Sequence, residues 1–590
     1  MKSGLYALAS LDNAPIAAAD CACLAVSAPG AAPQPWAVRA LDGDVGRACH
    51  VDQAGPVTTV LLGYLDEPDD LAAALGLSRE TPAAVLAGAA FARYGDAAPS
   101  HMLGEWSFVR WDAVERSLVL MASETCRDPI FYALSGTKVA VAPDLRALSN
   151  LSWIGRKLDP EGLLLHMARA PLRRGLTTET IVAGVHKVVE GTVVRISADR
   201  LIASTPCPLP TPQRWRGSFR DAVAELEAVL LRAVSQTLAR HRQPACLLSG
   251  GLDSSVLGYL ASRALPPEGE MAFVTSAAGS DSGVTDETAY AALVADRLGF
   301  PMIRVVPPQE PGVLRPSIRW MAQATSPAAT PAHYLYEAMY DAAASGGADV
   351  LFDGVIGEAT ISAIDEPDTL QNELRRFARA TKRRVLNRSA EVAHSTDGPD
   401  EPFHTVIAPG LRRLLPPRIA ELASQPAGGS SRPERRPASD LFGYAGAVLK
   451  SASTPTSAID QSLRVAMPFR DRRLVTLFAG MPMRFIEQNG MSRAPARAIL
   501  KGHVPDAIRL RIAGMPFAPD YDGRILNGAR AAHARIALFR AAELGQWLDL
   551  DWLDAALYDM TRSKAGTLDH RFKVALTAIA AEYLLWWQTT

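Results

Sequence analysis

Cysteine is scarce in this 590-residue sequence and is nowhere spaced for metal binding. The six cysteines, Cys21, Cys23, Cys49, Cys126, Cys207 and Cys246, form no CxxC, and Cys21-Ala22-Cys23 has no second half to complete a zinc site. Scattered among mostly apolar neighbours, they read as reduced, partly buried thiols. An excess of one charge sign is also lacking. There are 61 Lys and Arg against 62 Asp and Glu, a net charge of −1, so the overall balance draws neither nucleic acid nor an anionic membrane. No apolar run is long enough to span a bilayer. The alanine-rich start is broken by Asp12, Asn13, Pro15 and Asp20, which makes a poor secretory signal. The expectation is a cytoplasmic enzyme with no nucleic-acid and no membrane partner.

What is present is an apolar content of 48% over a length too great for one ordinary core, so two or more domains are expected. The first 205 residues read as short strands with packed helices. Val57 to Leu65 is an apolar run suited to a buried strand, and Pro82 to Arg93 has helical character. Gly104 to Asp112, Ser117 to Ala122, Phe131-Tyr132 and Lys138 to Ala142 continue as an antiparallel sheet. Pro206, Pro208, Pro210 and Pro212 exclude a helix or a central strand, so residues 206–216 are taken as a linker.

Beyond the linker, residues 217–590 begin with a helix from Phe219 to His241 and a strand from Ala245 to Leu248. A glycine turn and a helix follow, then a strand (Met271 to Thr275), a helix (Asp286 to Leu298) and a strand (Met302 to Val306). That alternation predicts a doubly wound α/β domain on a parallel sheet. Leu474 to Ala479 and Trp552 to Trp587 read as helical. A basic insertion at about 367–437 holds a helix-like segment, Gln371 to Arg388, and a Gly/Ser/Pro/Arg-rich stretch, Gln425 to Pro437. It reads either as a solvated insertion or as a surface that receives a peptide or partner protein.

The chemistry is concentrated in Ala245-Cys-Leu-Leu-Ser-Gly-Gly-Leu-Asp-Ser-Ser-Val-Leu257, read as strand, loop and helix. Gly250 and Gly251 let backbone amides approach an anion, and the helix N-terminus adds free N–H groups and a positive dipole end. Ser249, Ser254 and Ser255 supply hydroxyls. Asp253 in the same turn suits phosphate only if Mg²⁺ bridges the two. No lysine follows the glycines, so this is not the GxxxxGK[ST] loop, and the donor set suits release of pyrophosphate. The alternative is a serine-rich turn that only caps a helix.

Ser249 to Ser255 resembles the pyrophosphatase loop of the asparagine synthetase family, whose relatives include β-lactam synthetases and lasso peptide cyclases. The resemblance runs along nearly the whole chain. Gly63-Tyr64, Gly104 to Asp112, and Arg127-Asp128-Pro129 with Phe131-Tyr132 are similar to the family's glutaminase-like domain. Asp286-Glu287, Pro468-Phe-Arg-Asp471, Arg497 and Pro505 resemble later motifs of the family. The fold implied is an Ntn-type antiparallel sandwich followed by an ATP pyrophosphatase domain. The resemblance implies that Leu247, Ser249, Gly250, Gly251, Asp253, Ser254 and Ser255 hold ATP phosphates and Mg²⁺. It places Thr275 near the adenosine and Asp353-Gly354 against the nucleotide. Gly354-Val-Ile-Gly-Glu358 is similar to the family's GxGxD turn, with Ile356 where a glycine is expected and Glu358 as second metal ligand beside Asp253. Arg493, after Asn489-Gly490, stands where the family carries a lysine, and would neutralise a leaving phosphate or oxyanion.

Glutamine-dependent members carry a cysteine directly after Met1, whereas residue 2 here is lysine. The expectation is therefore a degenerate glutaminase-like domain, with an amine supplied by the substrate or as free ammonia. The resemblance then implies an AMP-forming ligase using ATP and Mg²⁺. Its most specific form is a lasso peptide cyclase, which joins an Asp or Glu side chain of a core peptide to the peptide's α-amine. A precursor peptide, a leader peptidase and a leader-recognition protein would be its partners. The alternatives are a β-lactam-synthetase-like or ammonia-using ligase on a small molecule, or a non-catalytic nucleotide-binding relative.

Overall fold

Strands apolar on both faces have to lie between layers, and the amino-terminal part is built on such strands. Along Leu103–Asp112, Trp106 and Phe108 point to one side and Val109 and Trp111 to the other, all fully buried. The computed structural model describes residues 4–12, 14–24, 36–41, 49–126, 129–168, 178–197, 202–206, 210, 212–279, 284, 286–310, 312–327, 330–363, 407–412, 463–512, 518, 520–562, 566 and 568–590. Leu103–Asp112 sits inside a six-stranded antiparallel sheet, flanked by Val57–Asp66 and Ser117–Ala122. Ile202–Pro206 is an edge strand of that sheet, where a proline at the strand end is tolerated. A five-stranded antiparallel sheet containing Gly4–Ser10, Phe131–Ser135 and Lys138–Ala142 faces it, and residues from both sheets interleave in one buried cluster. Helices Pro68–Leu75 and Ala83–Tyr94 cover the outer face of the six-stranded sheet. Leu145–Ser149 and Pro160–Ala168 cover the other outer face, so the order of layers is helix, sheet, sheet, helix.

The carboxy-terminal part is a parallel sheet. Its strands in spatial order are Met302–Val305, Ala272–Ser276, Pro244–Leu247, Val350–Phe352 and Arg464–Ala466, so chain order runs 3-2-1-4-5. This is a doubly wound order, and it reverses beside Pro244–Leu247. Ligands of such sheets bind outside the carboxyl ends of the strands at that reversal. The first three strands match the expected positions. Val350–Phe352 and Arg464–Ala466 are three residues long and carry no periodicity by which sequence alone could find them.

The stretch Trp552 to Trp587 is helical in two segments. Leu550–Thr561 and Leu568–Thr589 are separated near Gly566, whose φ is +65°. The second packs against the amino-terminal domain, with Arg146 4.6 Å above the Trp586 ring. The linker is docked as well, since Trp215 N–H donates to Gly480 O at 2.9 Å. Arg127 and Asp128, Gln371 to Arg388 and Gln425 to Pro437 lie outside the described residues. Ile407 bridges Leu548, and Ala408 N–H donates to Trp547 O at 3.0 Å. Among the described residues, no helix is long and apolar enough to cross a membrane.

Candidate active site

The chain leaves the strand Pro244–Leu247 at the reversal point and turns through Ser249-Gly250-Gly251 into the helix Leu252–Ala264. Gly250 is needed there twice over. Its φ is +72°, and a Cβ on it would lie 2.6 Å from Tyr290 Cβ and 2.8 Å from Ala291 N. The first turn of helix Thr288–Leu298 is therefore pressed onto the loop, and two helix N-termini meet at Gly250. Asp286 holds this second helix in place by accepting from Ala278 N–H at 2.9 Å and from Thr288 N–H at 3.0 Å. Burial raises the Asp286 pKa, but the bonds from Thr288 and Ala278 outweigh it and the net shift is downward.

Within the loop the serines engage one another. Ser249 N–H donates to Ser254 Oγ at 3.1 Å, the two hydroxyls lie 3.1 Å apart, and Ser255 Oγ donates to Gly251 O at 2.6 Å. Gly251 caps the helix with no side-chain bond to the first-turn amides. Leu247 and Thr275 are buried at the carboxyl ends of adjacent strands, whereas Ser249 is exposed at the mouth.

The turn Asp353–Glu358 closes over this loop from the neighbouring strand. Asp353 N–H donates to Ala466 O at 2.9 Å, and its Oδ1 accepts from Val355 N–H at 3.1 Å. A Cβ at Gly354 would stand 3.2 Å from Ser254 N, and one at Gly357 only 2.3 Å from the Asp253 carboxyl carbon. The turn lies so close to Asp253 that position 357 has no room for a side chain. Ile356 has φ +80°, the left-handed conformation that a glycine would take without strain. The expectation that a glycine belongs there thus has a direct physical counterpart.

Asp253 is the electrostatic centre. Its Oδ1 is buried without a hydrogen-bond partner. Burial pushes its pKa up to about 6, Ser362 Oγ pulls it down, Glu358 raises it and Arg493 lowers it. The same Glu358 charge reaches Tyr336, whose pKa is raised mainly by burial and then by Asp353 and Glu358. Glu358 and Arg493 are thus each within electrostatic reach of Asp253, beside the glycine–serine loop and its helix N-terminus. Two carboxylates, one with an orphaned oxygen, fit a hard divalent cation such as Mg²⁺, which takes its remaining ligands from phosphates and water.

Arg493 itself has φ +59° and starts the helix Ala494–Ile499. Arg497 on that helix donates to Ser492 O at 2.8 Å and to Arg511 O at 2.9 Å, which fixes the following segment. Arg511 pairs with Glu287 and lies 4.1 Å above the Tyr290 ring. Sequence reasoning missed Ser362, Tyr336 and the steric role of Gly357. Gly357 had a signal in the glycine-rich turn, whereas Ser362 and Tyr336 had none.

Glycine and serine donors at a helix N-terminus thus lie close to two carboxylates at the reversal point of a doubly wound sheet. An asparagine synthase family model matches residues 225–586, well over half of the chain, and a glutamine amidotransferase domain model matches residues 78–205. The chain belongs to the asparagine synthase family, a family of ATP-using, amide-bond-forming ligases. It is 27% identical to the amidase chry2 of Gibberella zeae over 36% of this chain and 32% of that protein. It is 25% identical to asparagine synthetase [glutamine-hydrolyzing] 3 of Bacillus subtilis over 29% of this chain and 27% of that one. The chain spans about a third of the length of the curated relatives it matches. Among solved structures, the glutamine phosphoribosylpyrophosphate amidotransferase of B. subtilis aligns at 10% identity over 61% of this chain and 70% of its own, with a TM-score of only 0.22.

Proposed function

We propose that this chain is an AMP-forming ligase that activates a carboxylate with ATP and closes an amide bond, and that its substrate is a peptide it cyclises. The observation that carries the reading is the buried, unpartnered carboxylate oxygen of Asp253, set inside a glycine–serine loop and faced by Glu358. The loop amides and Ser249, Ser254 and Ser255 would bind the phosphates of ATP as co-substrate. Asp253 and Glu358 would hold Mg²⁺, which neutralises charge on the phosphate oxygens when bound. The substrate carboxylate oxygen attacks the α-phosphorus, the bond to the β-phosphate oxygen breaks, and pyrophosphate leaves. An amine then attacks the acyl carbon, losing a proton as AMP departs. Arg493 supplies a permanent positive charge beside the departing groups.

The amine is taken to be the substrate's own. The thiols of Cys21 and Cys23 are poor nucleophiles. Burial raises the Cys21 and Cys23 pKa values, Asp20 raises them further, and Cys126 is buried. A basic insertion beside an ATP-using ligase suits a peptide rather than a small-molecule substrate, which favours a lasso peptide cyclase joining an Asp or Glu side chain to the α-amine. A leader peptidase and a leader-recognition protein would then deliver the core peptide, with the whole system in the cytoplasm. The test is mass spectrometry of a candidate core peptide incubated with this protein, its peptidase, ATP and Mg²⁺. Loss of one water that requires ATP and Asp253 supports cyclisation. Pyrophosphate release on small amino acids with ammonia, and none with peptide, would transfer the reading to a small-molecule amide ligase.

A further inference from the structure

Among the described residues, the ion pairs that join the two domains have a single polarity. The amino-terminal domain supplies the acids Asp66, Glu67, Glu105 and Glu124. The carboxy-terminal domain supplies their partners Arg240, Arg473, Arg464 and Arg472. The deepest pair is Arg472–Glu124, with side chains 9% and 5% exposed, and Arg472 also donates to Pro99 O at 2.8 Å and Ser100 O at 3.0 Å. Arg464 pairs with Glu105 and is itself 10% exposed. Asp66, Glu105, Glu124, Arg240, Arg464 and Arg472 line a cavity of about 80 Å³ along the seam, with room for several waters. The charges at the seam act on each other.

What they hold in place is one edge of the candidate active site. Arg464 opens the strand Arg464–Ala466, which pairs with Val350–Phe352, and Ala466 O accepts the Asp353 N–H. The turn that follows carries Gly354 and Gly357 onto Ser254 and Asp253. A continuous path of contacts thus runs from Glu105 through Arg464 and Asp353 to Asp253. We propose that the amino-terminal domain serves as a brace for the nucleotide site, with Glu105 and Arg464 as positioning residues that hold the Asp353–Glu358 turn on the phosphate loop. This rests on the proposed ATP-binding reading and gives the amino-terminal domain a role that needs no glutamine.

The test compares binding of Mg·ATP, by calorimetric titration, with thermal unfolding in five forms of the full chain: wild type, Glu105→Gln, Arg464→Met, Arg464→Lys and Arg195→Gln. Arg195 pairs with Asp96 inside the amino-terminal domain and is the control. Glu105→Gln and Arg464→Met should weaken Mg·ATP binding roughly tenfold, whereas Arg464→Lys, which keeps the charge, should retain most of it. Arg195→Gln should bind as wild type does. A purely structural seam would lower the unfolding temperature of Glu105→Gln and Arg464→Met while leaving Mg·ATP affinity unchanged, and that result would overturn the brace alone. If Arg464→Met does not fold, the contrast between Glu105→Gln and Arg464→Lys decides. A wild-type chain that does not bind Mg·ATP would overturn the proposed function and the brace with it.

Discussion

Burying a carboxylate costs free energy unless a cation meets it, and Asp253 is such a carboxylate. Its pKa rises from 3.8 to about 6, burial being the largest cause. Below about pH 4 the folded and unfolded chains both carry the proton, and this group costs nothing. As the pH rises from 4 to 6 the unfolded chain ionises first, so the group's contribution turns against the native state. Above pH 6 the full penalty, up to about 3 kcal/mol, is in force. Asp253→Asn should therefore raise the unfolding temperature of the nucleotide-free protein at pH 8 and leave it nearly unchanged at pH 4. Mg·ATP should stabilise wild type but not the variant. Differential scanning calorimetry with and without Mg·ATP checks both, and a variant that unfolds earlier at pH 8 would refute the argument. Ile356 tests a different balance. Its left-handed φ of +80° costs about 1–2 kcal/mol, but its side chain is 2% exposed and losing it costs about 2–5 kcal/mol. Burial wins, so Ile356→Gly should destabilise the protein by about 1–3 kcal/mol in denaturant titrations despite relieving the strain.

At the scale of elements, what could be read from sequence was what is contiguous. The strand, loop and helix around Ser249 to Ser255 fall within a dozen residues and show their pattern locally. The turn 353–358 is a hundred residues away, and only its glycines hint at close packing. No spacing rule ties residue 357 to residue 253, because the parallel sheet and not the local chain brings them together. The three-residue strands were invisible for the same reason, since two of the five positions in the sheet are set by long-range pairing and burial rather than by a local pattern. Gly357→Ala isolates the contact between the two elements. Its new Cβ would meet the Asp253 carboxyl at 2.3 Å, so the carboxylate must move within a packed site. We expect pyrophosphate release to fall on the order of 100-fold, with the unfolding transition still cooperative. Full activity would show that the turn can lift off the loop without consequence.

At the scale of the molecule, two antiparallel sheets precede the proline-rich stretch in the chain and a parallel sheet follows it. That order does not foretell how tightly they join. Apolar residues of both parts belong to one buried cluster, which takes in Leu148, Leu163 and Met167 from the first domain and Leu584, Trp586 and Trp587 from the last helix. Trp587 Nε1 donates to Arg156 O at 3.5 Å, and Tyr583 OH donates to Ala324 O at 3.1 Å. A helix at the far end of the sequence thus ties the sandwich to the parallel sheet, and the ion pairs of the seam add to that tie. Two domains linked only by a flexible segment would unfold separately, whereas a shared core couples them. Trp586 is 6% exposed, and Trp586→Ala should cost about 3–5 kcal/mol. If the core is shared, that one substitution lowers the unfolding midpoint of both parts together, and calorimetry shows a single shifted transition. If the parts are independent, the transition splits, and the portion due to the antiparallel sandwich stays near its wild-type temperature.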